Sequence, residues 1–170
     1  RFIFEGNEKI DIIDENYYTT DAFTDKAMAF ISEAKAENKE RPFFLYLSYN
    51  APHWPLQAPK SEIDKYRGKY MDGWESLRQQ RYNRMIEMGL IDASWSLSSD
   101  DIISWESLDE SKQEEMDLRM AIYAAMIDRM DQNIGRLVDD LKRKKLYEKH
   151  VQRGSCDHQK RDSRQSDGTE

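Results

Sequence analysis

Few residues in this chain have both the chemistry and the setting to do work. His53, the one histidine before position 150, stands in the run Asn50-Ala51-Pro52-His53-Trp54-Pro55. An imidazole exchanges protons near neutral pH, so His53 is the candidate general acid, the alternative being a ring that only hydrogen-bonds its own loop. Asp128 and Asp131 lie one helical turn apart with Arg129 between them. They read either as paired carboxylates or as a helix-packing salt-bridge set, and the second is preferred because a long apolar stripe already accounts for that helix. His150, Cys156 and His158 imitate a soft-metal site, but in a polar stretch with no fourth fixed ligand they are not assigned to one. Trp54, Trp74, Trp95 and Trp105 would line an aryl or sugar cleft if exposed, and packing is the preferred reading for all four.

The element that must deliver His53 is the run Phe43-Phe44-Leu45-Tyr46-Leu47-Ser48. It is apolar without alternation, as expected of a strand buried on both faces of a sheet. Pro52, Pro55 and Pro59 end regular structure after Asn50, leaving His53 on a loop at the strand's C-terminal end, where open α/β sheets carry their chemistry. Upstream, Phe2 to Phe4 and Ile10, Ile12 and Ile13 suit short strands around a Gly6-Asn7 turn, or an extended connector. A helix capped by Thr20 should run to about Asn38, with Phe23, Ala27, Phe30, Ile31 and Ala34 on one face. Lys60 to Tyr70 reads as a short helix with Ser61 as its cap, and Trp74 to Met88 as another, broken off from it at Gly73 and ended at Gly89. Ile91 to Leu108 reads as an irregular loop. From about Ser111 to Leu146, Met116, Met120, Tyr123, Ile127, Met130, Ile134, Leu137 and Leu141 form one stripe, expected to cover a sheet. The methionines there read as core filler.

Composition sets limits on this scheme. Of 170 residues, 38% are hydrophobic and 35% charged, so the core must be thin. A net charge of -7, with cations interspersed among acids, argues against nucleic acid as a partner. No apolar run approaches the roughly 20 residues that span a bilayer. The lone Cys156 can form no internal disulfide. A chain beginning at Arg1 suggests a fragment or a processed product. No second strand matches Phe43 to Tyr49 in strength, so its sheet neighbours are expected in sequence beyond these residues.

The segments YYTTDAFTDKAMAFI, RPFFLYLSYNAPHWPLQAP, KYRGKYMDGWESLRQQRYNRMIEMGLI and MAIYAAMIDRMDQNIGRLVDDLK, in that order, closely resemble the middle of the arylsulfatase family of formylglycine-dependent sulfatases. The resemblance spans about Tyr17 to Leu146. It implies an α/β fold, here a partial alkaline-phosphatase-like α/β/α sandwich, mostly helical with one strong buried central strand. It also implies hydrolysis of sulfate monoesters by a formylglycine nucleophile, with a calcium ion neutralising sulfate oxygens. By position, His53 is the family's histidine that binds sulfate and protonates the leaving group.

The departures from the family matter as much. Cys156 is followed by Asp157, His158, Gln159 and Lys160, which is not the Cys-x-Pro-Ser-Arg pattern that becomes formylglycine. Asp157 falls near the position of a family metal-binding aspartate, but Gln152, Arg153 and Gly154 cannot make the buried strand that would hold it, so no metal ligand is assigned. Residues 1–148 are therefore expected to be a partial catalytic domain and 149–170 a polar tail unlike the family, the whole unable to hydrolyse sulfate esters alone. The implied partner is a sulfate ester, aryl sulfate or sulfated glycan, and the implied location is periplasm, exterior or lysosome. Two alternatives remain: a phosphomonoester or phosphonate hydrolase of the same superfamily, and a helical interaction protein that docks a partner on its long stripe. A reading-frame slip near Glu148 would explain the abrupt tail. Reading the gene in the other frame should restore an apolar strand ending in Asn-Gly, and finding neither would remove the slip.

Overall fold

A computed structural model of the chain describes residues 3–11, 16–99 and 102–149. Strands β1 (Ile3–Glu5) and β2 (Glu8–Ile10) form an antiparallel hairpin pairing Ile3 with Ile10, and its turn passes through Gly6 at φ 63°. Helices follow at α1 (Thr19–Glu37), α2 (Lys60–Ile63), α3 (Gly73–Glu87) and α4 (Glu110–Arg143). The expected extension through Ile12 and Ile13, and the tail from position 150 with His150, Cys156, Asp157 and His158, lie outside the described residues.

Helix α1 packs against α4, and α2 against the middle of α4. The faces that meet are unusual. On α4 the buried positions are Asp117, Ala121, Ala125, Met126, Asn133, Asp140 and Leu141, and on α1 they are Thr20, Thr24, Ala27 and Ile31. Small residues let the two backbones approach, and each polar one is matched. Arg129 donates from Nε and Nη2 to the two oxygens of Asp21, both at 2.8 Å, and Asn133 Nδ2 donates to Asp21 Oδ1 at 2.7 Å. Gln132 Nε2 bridges Glu62 of α2 and Asp128, each at 2.9 Å. Asp117 accepts the amides of Gly68 and Tyr70 at 2.8 and 2.9 Å, tying the turns after α2 to α4.

Of the apolar stripe expected to be core, Leu141 is buried and Met116, Met130 and Leu137 are half-buried, but the rest is turned away. Met120 (38% exposed), Tyr123, Ile127 and Ile134 (41%) face solvent, displaced about one residue, or roughly 100° of helix, from the buried line. Phe43 to Tyr49 departs from expectation in the same way. It is extended, yet its backbone makes no hydrogen bond to another strand among the described residues. Its side chains alternate, with Phe43, Leu45, Leu47 and Tyr49 half-buried against the chain while Phe44 (91%) and Tyr46 (80%) are open. A strand buried on both faces is thus not what these residues form here, because only one side of it is covered. Tyr49 fixes the covered side: the Thr24 hydroxyl proton goes to Thr20 O at 2.9 Å, so Tyr49 donates to Thr24 Oγ1 at 2.7 Å.

Other expectations shift for local reasons. Tyr18, not Thr20, occupies the N-cap of α1, and Thr20 is buried inside the helix. Pro59, not Ser61, precedes α2, and that helix stops at Ile63, where three-residue turns take over (Lys65 amide to Glu62 O, Tyr66 amide to Ile63 O); farther on, Gly68 turns at φ 79° and Asp117 accepts the Gly68 and Tyr70 amides. Helix α3 ends as expected, with Gly89 at φ 68° and the Leu90 amide returning to Met85 O at 2.9 Å. Helix α4 starts with the Asp109 carboxylate accepting the Lys112 amide at 2.8 Å and closes three residues before the expected Leu146, where Lys145 takes φ 58°. Trp105 is buried edge-on against Trp74, ring centroids 5.0 Å apart, and leaves no room for a side chain at Gly73. Packing therefore holds for those two tryptophans but not for Trp54 (59% exposed) or Trp95 (65%).

The polar seam has a pH signature. Burial acts to raise Asp21, but hydrogen bonds from Arg129 and Asn133 outweigh it and leave the carboxyl below its ordinary value. Asp140 behaves likewise, burial being overcome by Lys144 and Arg143. Hydrogen bonds from Lys65 lower Glu62, and hydrogen bonds from Gln132 lower Asp128. Carboxyls depressed in the folded state stabilise it fully above their unfolded pKa of about 4, and that contribution is lost as pH falls through the lower folded values. Urea midpoints should be level from about pH 6 to 5 and fall steadily below about pH 4. Arg129→Met should cost about 2 kcal/mol at pH 7 and flatten that fall, since it leaves Asp21 without its bidentate partner. An unaltered acid profile in the variant would show that the seam does not carry the pH dependence.

Candidate functional site

His53 sits where the extended segment turns. Its backbone amide donates to Asn50 O at 2.8 Å, and the Ala51-Pro52 and Trp54-Pro55 peptide bonds on either side are cis. The ring is exposed, and Nδ1 is 2.7 Å from the carbonyl oxygen of Trp54. A carbonyl only accepts, so Nδ1 carries the hydrogen, and proton exchange falls to Nε2, which has no partner among the described residues. The loop is held at both ends. Tyr49 is tied to α1 through Thr24, and Tyr18 of the α1 N-cap donates its hydroxyl to Gln57 O at 3.2 Å.

A shallow pocket of about 540 Å³ opens here, lined by Tyr49, Asn50, Ala51, Pro52, His53 and, from across the fold, Tyr123 of α4. Next to His53, the Trp54 indole lies under the Arg119 guanidinium, whose central carbon is 5.9 Å from the ring centroid. Arg119 and Tyr123 are one turn apart on α4, and Arg119 is also ion-paired to Glu115. Read from the sequence, Tyr123 belongs to a core stripe and Arg119 to a solvated face. The four-residue spacing alone gives no sign that both face a loop some 65 to 70 positions earlier in the chain.

The remaining sequence candidates fall apart from this pocket. Asp128 is engaged by Gln132 and Lys65 in the polar seam, the structural role preferred for it, and Asp131 is exposed. Among the described residues no group of three or more histidine, cysteine, aspartate or glutamate side chains could hold a metal ion. The donor set for the calcium ion implied by the family resemblance is therefore not present there, and no chemical step is routed through it. No helix of the described residues is long and apolar enough to cross a membrane.

What the geometry defines is one exposed imidazole, its ring oriented by the Trp54 carbonyl, in a pocket it shares with the rings of Tyr49 and Tyr123. The chain belongs to the sulfatase family, whose Sulfatase profile matches residues 3–151. It is 40% identical over 131 residues to an uncharacterized sulfatase of Schizosaccharomyces pombe, covering 75% of this chain and 23% of that protein. It is 35% identical over 136 residues to the arylsulfatase of Klebsiella aerogenes, covering 79% of this chain and 28% of the relative. The chain thus spans about a quarter of the length of these relatives. A solved structure described as Ps i-CgsB in complex with k-i-k-neocarrahexaose aligns with a TM-score of 0.43 at 26% identity, over 79% of this chain and 19% of that one.

The Trp54 carbonyl makes a direct prediction about the ring. In ¹⁵N NMR spectra at a pH where His53 is neutral, Nδ1 should carry the proton and Nε2 should show the shift of an unprotonated nitrogen. The opposite tautomer would mean that the carbonyl does not orient the ring.

Proposed function

We propose that this chain is the middle portion of a sulfatase catalytic domain, within a polypeptide that hydrolyses sulfate monoesters, and that His53 is its proton donor. The observation that carries the reading is the His53 ring itself, held through Nδ1 by Trp54 O, with Nε2 meeting no partner among the described residues, in the lining of a pocket in a sulfatase-family chain. Breaking the S–O ester bond leaves negative charge on the departing oxygen. A proton delivered from Nε2–H neutralises it, and the imidazolium offsets the charge of the sulfate while the bond breaks. The nucleophile, and the formylglycine and calcium implied by the family, would come from residues other than those described. Residues 1–148 would then be one incomplete catalytic unit, inactive alone, and the wider polypeptide one that is exported.

The same reading assigns Phe43 to Tyr49 to an inner strand of an alkaline-phosphatase-like α/β/α sandwich. Its support is an extended backbone from Phe44 to Tyr49 with no strand pairing among the described residues, Phe44 and Tyr46 left open, and a groove of about 880 Å³ running between this segment, α1 and the hairpin. Edges and faces of that kind are what flanking strands cover. The exposed stripe on α4 also suits the interaction-protein reading. A cooperatively melting, stable assembly of the 170-residue chain would favour it.

In the full-length polypeptide carrying this segment, His53→Ala should lower turnover of 4-nitrophenyl sulfate by about two to four powers of ten, the range of a positioned acid. Unchanged turnover would take His53 out of the site. Faster turnover of 4-nitrophenyl phosphate than of the sulfate would move the assignment to phosphomonoesters.

A further inference from the structure

His53 stands midway between two anchors that use the same kind of group. Four residues before it, the Tyr49 hydroxyl donates to Thr24 Oγ1 at 2.7 Å, and four residues after it, the Gln57 carbonyl accepts the Tyr18 hydroxyl at 3.2 Å. Both partners belong to the start of α1: Tyr18 is its N-cap, and Thr24 lies in its second turn, fully enclosed at 0% exposure. The Thr24 proton is already committed to Thr20 O at 2.9 Å, so Thr24 Oγ1 can only accept from Tyr49. Between Tyr49 and the histidine there is little slack, because the His53 amide closes a turn on Asn50 O at 2.8 Å. The other side of the pocket is tied to the same helix: Tyr123 rides on α4, which the Asp21 to Arg129 pair locks to α1.

We infer that Tyr49 and Tyr18 are positioning residues for His53, with Thr24 as the buried acceptor that gives Tyr49 its place. The inference rests on the proposed proton-donor role of His53 and adds what sets the donor's aim. An acid helps only when its proton lies within hydrogen-bond reach of the departing oxygen, and an error of about 1 Å in such a placement can cost about a hundredfold. Neither tyrosine hydroxyl needs to meet the substrate for this. Removing the Thr24 oxygen would leave the Tyr49 O–H facing an enclosed side chain with nothing to accept it, a cost that the ring escapes by drawing out toward water. The turn, and the imidazole at its end, would move with it. Tyr18 holds the far side by a longer bond at an exposed position, so its loss should matter less.

The test compares steady-state turnover of phenyl sulfate and 4-nitrophenyl sulfate by the full-length polypeptide. Phenolate is the poorer leaving group and needs the proton more, so a misaimed acid slows phenyl sulfate more than its nitro counterpart, whereas a loss of folded protein slows both equally. Thr24→Val and Tyr49→Phe should each lower kcat for phenyl sulfate about tenfold and for 4-nitrophenyl sulfate no more than about threefold, with KM for both within about twofold. Thr24→Ser, which keeps the acceptor and drops the methyl, should hold kcat within about twofold of the unsubstituted protein. Tyr18→Phe should show the same selectivity at about threefold on phenyl sulfate, and combined with Thr24→Val should exceed either alone. Equal falls on the two esters, or no fall on either, would overturn the inference and leave these hydroxyls with a packing role. Should Thr24→Val not fold, Tyr49→Phe, which removes a single oxygen, decides in its place. His53→Ala keeps the two levels apart. A steeper loss on phenyl sulfate there, with none in Thr24→Val or Tyr49→Phe, retains the proton donor and removes only its positioning, while an equal loss on both esters in His53→Ala removes donor and positioning together.

Discussion

The structure depends on one carboxylate, Asp21, gripped at both oxygens by Arg129 and again by Asn133. This contact joins residues more than 100 positions apart and sets α1 against α4. A seam of this kind is directional where apolar packing is not. Once the guanidinium fork meets the carboxylate, the rotation of α4 about its axis is decided, and with it which side chains face α1 and which face away. Glu62, Gln132 and Asp128 extend the seam to α2, and Asp117 extends it to the turns that follow. Asn133 and Thr24 are wholly buried beside Ile31, Ala121 and Ala125, so polar side chains share this interior with apolar ones.

That rotation has a consequence for the site. With its polar, small-residue face spent on α1 and α2, α4 presents its apolar stripe elsewhere. Near the N-terminal half of the helix, that stripe and its neighbour Arg119 meet the loop after the extended segment, so Tyr123 reaches the His53 pocket and Arg119 the Trp54 indole. Farther along, Ile127 and Ile134 are open, as are Phe44 and Tyr46 on the extended segment and Phe30 on α1. On the proposed reading these are surfaces that a companion layer, not among the described residues, would cover. A chain spanning about a quarter of its relatives' length is a natural place to find such surfaces, since the strands that cover them can belong to the other three quarters.

The loop shows how rigid chemistry can be mounted on a thin scaffold. Its two ends are tied to α1, through Tyr49 to Thr24 and through the hydroxyl of Tyr18 to Gln57, and its middle is turned by prolines. The imidazole then needs only one hydrogen bond, to its neighbour's carbonyl, to be presented in one tautomer. None of these ties uses a large apolar area. Their number, more than the strength of any single one, fixes the position of His53.

Much of the helix order was legible in the sequence, because helix-ending residues act within a few positions: Gly89 closes α3 and Asn38 caps α1 where expected, whereas the N-caps expected at Thr20 and Ser61 fall at Tyr18 and Pro59, and α4 opens at Asp109 instead of near Ser111. The placement of His53 after an extended apolar run was legible for the same local reason, proline chemistry. What periodicity could not tell was which face of α4 is inside. It counts apolar residues at helical spacing and is blind to the line Asp117, Ala121, Ala125, Asn133 and Asp140, whose burial becomes favourable only when Asp21, Arg129 and the amides after α2 arrive from distant parts of the chain. Nor could it show that Phe43 to Tyr49 would be covered on one side only, since an apolar run states a demand for neighbours and not whether they are at hand. The sequence by itself determined the helices, the extended run and the histidine's loop, all set by short-range backbone preferences. Tertiary structure alone decided the polar seam, the outward turn of the stripe and the meeting of Tyr123 and Arg119 with His53 and Trp54, because those rest on long-range pairing of charges.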